Sequence, residues 1–195
     1  TVQGRKIKED ADYEGVRVKF IGFLDRSRIP IQIDFGFGDI VYPKTMMIDY
    51  PVILDFPKPH LKGYPIESVV SEKFEAMVKL GLLNSRMKDF YDIWLMTRQF
   101  EFKGANIASA IKKTFNNRKT DLPNKKPLFA DEIYDEKSDR QTLWTAFLKK
   151  GDIQHAPETL SATAKEIERF LVEPIMALNG NTTLDKIWTS PKEWE

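Results

Sequence analysis

At Gly63-Tyr64-Pro65 the hydrophobic period of the chain changes from alternating residues to a spacing of about 3.6. Before that point, Gly15 to Leu24 (Gly-Val-Arg-Val-Lys-Phe-Ile-Gly-Phe-Leu) alternates apolar with polar residues, the pattern of a half-buried strand. Asp25-Arg26-Ser27-Arg28 reads as a turn, and Ile29 to Phe37 supplies a second strand containing Ile31, Ile33 and Phe35. The two are expected to pair as an antiparallel hairpin. Ile40 to Pro43 and Met47 to Ile53 are further extended candidates. Pro43, Pro51, Pro57 and Pro59 confine them to sheet edges or loops, because proline donates no ladder hydrogen bond.

After the switch, Pro65 stands at a helix start, where a missing N–H is harmless. Ile66, Val69, Val70, Phe74, Met77 and Leu80 recur at helical spacing up to Gly81, and Met87, Phe90, Tyr91, Trp94 and Leu95 mark a second helix over Arg86 to Arg98. Further helices are expected over Ala105 to Phe115, Thr142 to Lys150 and about Glu158 to Leu178, the last with a kink at Pro174. Asn179 to Glu195 is rich in Asn, Thr and Pro and reads as a frayed tail. The fold class is therefore α+β: a small sheet region over 1–62, a helical domain over 63–180 and a tail over 181–195. The sheet is too small to bury both faces, so it either packs on the helices or lacks strands that would precede residue 1. The opening Thr1-Val2-Gln3-Gly4, without Met, suits a chain that begins partway through a domain.

Composition closes several routes. The 195 residues include no Cys and two His, which removes disulfides, thiol nucleophiles, Cys-based zinc sites and His-rich metal centres. With 42% hydrophobic and 30% charged residues the chain is globular, and no apolar run is long enough to span a membrane. The expected setting is cytoplasmic.

The formal net charge of +1 conceals a segregated pattern. Lys103, Lys112, Lys113, Arg118, Lys119, Lys125 and Lys126 face one acid, Asp121; Asp131, Glu132, Asp135, Glu136 and Asp139 follow. Such a basic stretch is the footprint of phosphate binding, and its plainer alternative is a solvated face paired with the acidic stretch.

Among single residues, Asp34 stands inside an apolar strand, Ile31-Gln32-Ile33-Asp34-Phe35-Gly36. Strand carboxylates of this kind hold Mg²⁺ or activate a hydroxyl in phosphoryl-transfer sites, or they simply face solvent at a strand end. Asp10-Ala11-Asp12 has metal-binding spacing but charged, turn-like surroundings, and Gly36-Phe37-Gly38-Asp39 lacks the following helix of a dinucleotide loop. Lys73 falls among Val70, Phe74 and Met77, so it either snorkels or meets an anion. Lys88 and Asp92 share a helix face in the less favourable order for a simple helix pair. His60 and His155 stand alone, and no serine has a partner set for a hydrolase triad.

Three phrases carry a resemblance. They are Ile33-Asp34-Phe35-Gly36 with Gly38-Asp39, then Tyr64-Pro65-Ile66-Glu67-Ser68-Val69-Val70-Ser71-Glu72-Lys73, and then Ser85-Arg86-Met87-Lys88-Asp89-Phe90-Tyr91-Asp92. Together they resemble the abortive-infection nucleotidyltransferase toxin family (the AbiEii/AbiGii type) over roughly residues 13 to 98. The resemblance implies a partial polymerase-β-like nucleotidyltransferase sheet followed by a helical C-terminal domain, using Mg²⁺ and a nucleoside triphosphate. Asp34 matches the third catalytic, metal-holding carboxylate. Lys73 matches the lysine that contacts triphosphate, and Lys88 and Asp92 match the motif facing the cleft. Members act as toxins in toxin–antitoxin pairs, and RNA acceptors such as tRNA are known among them. On that basis Lys112, Lys113, Arg118 and Lys119 are candidate RNA contacts, and a protein antitoxin is a candidate partner.

No Gly-Ser or Gly-Thr occurs in the chain, so Asp10-Ala11-Asp12, in its charged turn, is not read as the family's metal-holding pair. The Gly-Ser/Thr loop with its Asp-x-Asp is expected upstream of this sequence. Two-metal transfer needs about three carboxylates, so the chain alone is expected to be inactive. Two expectations follow: a portion of a nucleotidyltransferase toxin with a nucleotide-binding site and an RNA or protein acceptor, or a non-catalytic RNA- or antitoxin-binding module derived from it.

Overall fold

A computed structural model describes residues 2–9, 13–189 and 193–195. Asp10 and Asp12 lie outside the described residues. The fold is α+β, in two compact units, Thr1–Ile40 and Val41–Glu195.

The first unit is an antiparallel meander of β1 (Gln3–Glu9), β2 (Tyr13–Leu24) and β3 (Ser27–Gly36), in that order. The expected hairpin is β2–β3, closed at Asp25, whose φ of 52° is one that a short polar side chain tolerates. Its register sets Val16 opposite Phe35, Val18 opposite Ile33 and Phe20 opposite Ile31. Directly opposed residues share a face, so these six make one apolar face. Arg17 opposite Asp34 and Lys19 opposite Gln32 make the other, polar one. A slip of one residue would exchange the faces. Asp34 is thus on the polar side of the sheet.

The second unit opens with Val41 and a two-stranded hairpin, β4 (Met46–Asp49) and β5 (His60–Gly63). The extended stretch expected over Met47 to Ile53 ends at Asp49, ahead of Pro51. The extended stretch expected over Ile40–Pro43 forms no strand; within the second unit Ser68 Oγ accepts from the Tyr42 N–H at 2.8 Å and donates to the Tyr42 carbonyl at 2.9 Å.

Among the described residues six α-helices follow: α1 (Ile66–Leu80), α2 (Met87–Gln99), α3 (Gly104–Asn117), α4 (Asp131–Tyr134), α5 (Asp139–Lys150) and α6 (Leu160–Asn179). Gly81, at φ 47°, ends α1 where the sequence places the stop, and its N–H bonds to the Met77 carbonyl. Val70 and Phe74 of α1, Phe90, Ile93 and Trp94 of α2, Ile107, Ile111 and Phe115 of α3, and Ile167, Phe170 and Leu171 of α6 form one buried core. Burying each such large side chain contributes about 1.5–3 kcal/mol.

The tail departs from the frayed expectation. β6 (Phe102–Lys103) pairs with β7 (Ile187–Thr189), and β7 pairs with β8 (Glu193–Trp194). Trp188 is 1% exposed and donates its indole N–H to the Thr97 carbonyl at 2.8 Å. Gly104 admits Leu184 so closely that a Cβ there would lie 2.5 Å from the Leu184 side chain. Within α6, Pro174 has no N–H to give the Phe170 carbonyl. That carbonyl accepts instead from the Trp194 indole at 3.0 Å, with the two rings stacked 5.6 Å apart. The missing helix bond is where the end of the chain attaches.

Candidate functional site

The site starts from the turn between α1 and α2. Asn84 is buried, and its side-chain oxygen accepts from the Arg86 N–H at 2.8 Å, next to the start of α2. Arg140 of α5 donates to the Asn84 carbonyl at 3.1 Å and also to the Leu82 carbonyl. These bonds fix how α2 follows α1, and hence which α2 residues face Lys73.

Lys73 Nζ lies 2.7 Å from Asp89 Oδ1 and 2.8 Å from Asp92 Oδ2, so one ammonium bridges two carboxylates on the neighbouring helix. Asp89, with its side chain 3% exposed, is the buried hub. Arg86 Nε is 2.8 Å from its second oxygen, Oδ2, which accepts no well-aligned hydrogen bond. Lys88 Nζ reaches Asp92 Oδ2 at 2.6 Å from the solvent side. Burial by itself would lower the pKa of Lys73, but the hydrogen bonds to Asp89 and Asp92 outweigh it and hold the ammonium above its ordinary value. The group therefore stays charged at neutral pH. Lys73, Lys88 and Asp92, three residues singled out in the sequence, meet in one network. Asp89 and Arg86 complete it; both stand in the phrase that carries the family resemblance, where neither had a role of its own. Opposite charges at core positions of consecutive helices, Lys73 within Val70-Phe74-Met77 and Asp89 beside Phe90 and Ile93, are the signal that could have found Asp89.

Asp34 belongs to the first unit and has a different environment. Arg17 donates a two-pronged pair of hydrogen bonds to it, Nε to Oδ1 and Nη2 to Oδ2, both at 2.7 Å. Gln32 adds a longer bond at 3.3 Å. The Arg17 hydrogen bonds hold the Asp34 carboxyl below its ordinary range. Among the described residues no three His, Cys, Asp or Glu side chains gather as metal ligands. With both Asp34 oxygens taken by a guanidinium, the described residues do not compose a Mg²⁺ site. His60 faces Asp49 at 2.8 Å, and His155 faces the Tyr91 hydroxyl at 2.8 Å.

The four candidate RNA contacts have separate fates. Arg118 is turned inward, with Nη1 2.9 Å from Glu75 Oε2 and Nη2 3.5 Å from Glu72 Oε2, while the Thr120 hydroxyl donates to the other Glu75 oxygen at 2.5 Å. Lys113 Nζ sits 4.8 Å from the centre of the Tyr42 ring, a cation–π contact. Lys112 and Lys119 are exposed. Among the described residues none of these four pairs with Asp131, Glu132, Asp135, Glu136 or Asp139.

No helix among the described residues is long and apolar enough to cross a membrane. No curated protein and no solved structure matches the chain. A family model described as "Nucleotidyl transferase AbiEii toxin, Type IV TA system" matches residues 1–171, a span that includes the hairpin carrying Asp34 and the whole Lys73–Asp89–Asp92 network. With most of its length inside that match, the chain belongs to the AbiEii nucleotidyltransferase toxin family of type IV toxin–antitoxin systems.

Proposed function

We propose that this chain is part of a Mg²⁺-dependent nucleotidyltransferase toxin that moves a nucleotide from a nucleoside triphosphate to an RNA or protein acceptor. It acts in the cytoplasm and is opposed by a protein antitoxin. Family membership supports the reaction class and the pairing with an antitoxin. The observation that carries the reading to particular residues is the bridge of Lys73 to Asp89 and Asp92, with Lys88 on its outer edge.

In this reading Lys88 and the exposed Arg86 meet the phosphates of the triphosphate. Preorganised cations of this kind stabilise the charge that builds on the departing pyrophosphate. Lys73 holds Asp92 and, through it, the position of Lys88. Lys112 and Lys113 of α3, with Lys119 just beyond its C-terminal end, provide an acceptor surface, while Arg118 serves the fold through Glu75. Mg²⁺ enters through the family alone, and no step is routed through it. Asp34 is the metal carboxylate of this reading, and it would have to exchange Arg17 for the ion. A second reading, a non-catalytic RNA- or antitoxin-binding module, draws its support from the engagement of both Asp34 oxygens with Arg17.

Equilibrium dialysis with each of the four radiolabelled nucleoside triphosphates tests the choice. Binding of at least one, weakened about tenfold by Lys88→Gln, is expected, since one hydrogen bond to a charged group contributes about 1.5–3 kcal/mol. Absence of binding by the unmodified chain refutes the first reading and leaves the second. The chain alone is expected to transfer no label to RNA, and incorporation would overturn that expectation.

A further inference from the structure

Away from the Lys73 network, an open groove of ≈ 540 Å³ runs along α6, lined by Lys126, Pro127, Tyr134, Lys165, Glu168, Arg169 and Val172. Lys165, Glu168, Arg169 and Val172 follow the i, i+3, i+4, i+7 spacing of one helix face. The loop before α4 brings Lys126, and α4 brings Tyr134.

The charges in the groove are unevenly committed. Glu168 is internally satisfied: it accepts from the Leu128 N–H at 3.2 Å and from the Tyr134 hydroxyl at 2.9 Å. Burial first, and then this bond to Glu168, push the Tyr134 hydroxyl well above the ordinary tyrosine range, so it stays protonated and keeps the carboxylate in place. Lys126, Lys165 and Arg169 are exposed and have no ion-pair partner among the described residues. Counting Glu168, the groove presents three cations against one fixed carboxylate, an excess of two positive charges.

We propose that this groove binds the phosphodiester backbone of a polynucleotide. The chemistry favours phosphate: Arg169 offers a planar fork matched to two phosphate oxygens, flanked by two ammonium point charges. It favours a chain over a free nucleotide, because the groove is open and its two half-buried polar groups, Glu168 and Tyr134, already satisfy one another, which leaves no buried group to read a small ligand. It favours contact without sequence preference, since no unengaged side-chain amide or carboxylate lines it. The groove is separate from the α3 lysines, and its role does not depend on nucleotide transfer.

The test is fluorescence anisotropy of a labelled single-stranded uridine 20-mer, with no triphosphate or metal, between 50 and 200 mM salt. For the unmodified chain, binding falls with salt. Each phosphate contact adds about 0.7 to the slope for single strands. The variant Lys126→Gln/Lys165→Gln/Arg169→Gln should therefore lose about 2 from the slope, and Arg169→Gln alone about 0.7. The pair Lys149→Gln/Lys150→Gln, basic residues at the end of α5 outside the groove, should lose nothing. Melting curves by circular dichroism report the fold of each variant. An unchanged slope in the triple variant, an equal loss in the α5 pair, or no RNA binding at all overturns the proposal. So does a polyglutamate peptide of equal charge that binds more tightly than the RNA through the same three residues, because it would assign the groove to an acidic protein.

Discussion

Replacement of Lys73 by Met separates the structural work of the charged bridge from its chemical work. Methionine keeps the unbranched stem that packs among Val70, Phe74 and Met77 and removes only the ammonium. The loss leaves Asp89, 3% exposed, and Asp92 without the cation 2.7 and 2.8 Å away. At an effective dielectric near 20, a unit pair about 3 Å apart attracts by roughly 5 kcal/mol. The desolvation of each ion opposes that by several kcal/mol. The net worth of such a pair is small, but stripping one partner from a buried pair costs about 3–5 kcal/mol, because the remaining charge is stranded. Arg86 and Lys88 stay within 2.8 and 2.6 Å of the two carboxylates, which puts the expected loss at the lower end, about 3 kcal/mol. Urea denaturation followed by circular dichroism measures it, with an unchanged m-value showing that stability alone moved. Adding Asp89→Asn should restore about 1–2 kcal/mol, the coupling expected of residues in direct contact. A loss under about 1 kcal/mol for Lys73→Met, or no recovery in the double variant, would refute the view that this ammonium ties α1 to α2.

Two further outcomes follow from individual bonds. Trp194→Phe removes the donor to the Phe170 carbonyl, which Pro174 leaves without a helix partner, and should cost about 1–3 kcal/mol in thermal melts. Adding Pro174→Ala supplies an N–H and should recover part of the loss, and an equal loss in both backgrounds refutes the link. For Asp34, the carboxyl ¹³C shift followed by NMR against pH should titrate below the usual value of about 3.9. Because the folded pKa is depressed, the Arg17–Asp34 contribution is present above that usual value and is lost as pH falls through the folded one. Arg17→Gln should move the midpoint upward, and an unmoved midpoint would contradict the assignment.

Much of this was legible in the sequence because period and punctuation agree. Gly15 to Leu24 alternates, so β2 was visible, and Val70-Phe74-Met77 stopped by Gly81 fixed α1. The four-residue α4 escaped because a single turn has no period to detect. The tail misled because Asn, Thr and Pro dominate it locally, while what anchors it, Trp188 and Trp194, acts on partners as distant as Thr97 and Phe170. The buried acids Asp89 and Glu75 were hidden for a related reason. A charged residue in a periodic pattern reads as surface until the cation that neutralises it, Lys73 or Arg118, is seen on a neighbouring helix. Asp34 was found as a residue, but its face was set only by the register that put it opposite Arg17.

Burial also divides labour between the two lysines of the network, of which the family resemblance matches Lys73 to a triphosphate contact and Lys88 to the motif facing the cleft. Lys88 is 71% exposed, and an exposed pair such as Lys88–Asp92 is worth about 0–1 kcal/mol. Lys88 can therefore leave Asp92 for an arriving phosphate at little cost. Lys73 is 19% exposed and serves Asp89 and Asp92 together, so its departure would strand a buried carboxylate at several times that cost. A triphosphate that had to capture Lys73 would have to supply that difference from its own binding energy, whereas one that captures Lys88 would not. Under the proposed nucleotidyltransferase reading, the assignment consistent with these costs has Lys88 move to a triphosphate while Lys73 stays. Lys73 then sets the position of Asp92, and the substrate competes with Asp92 only for its weaker partner.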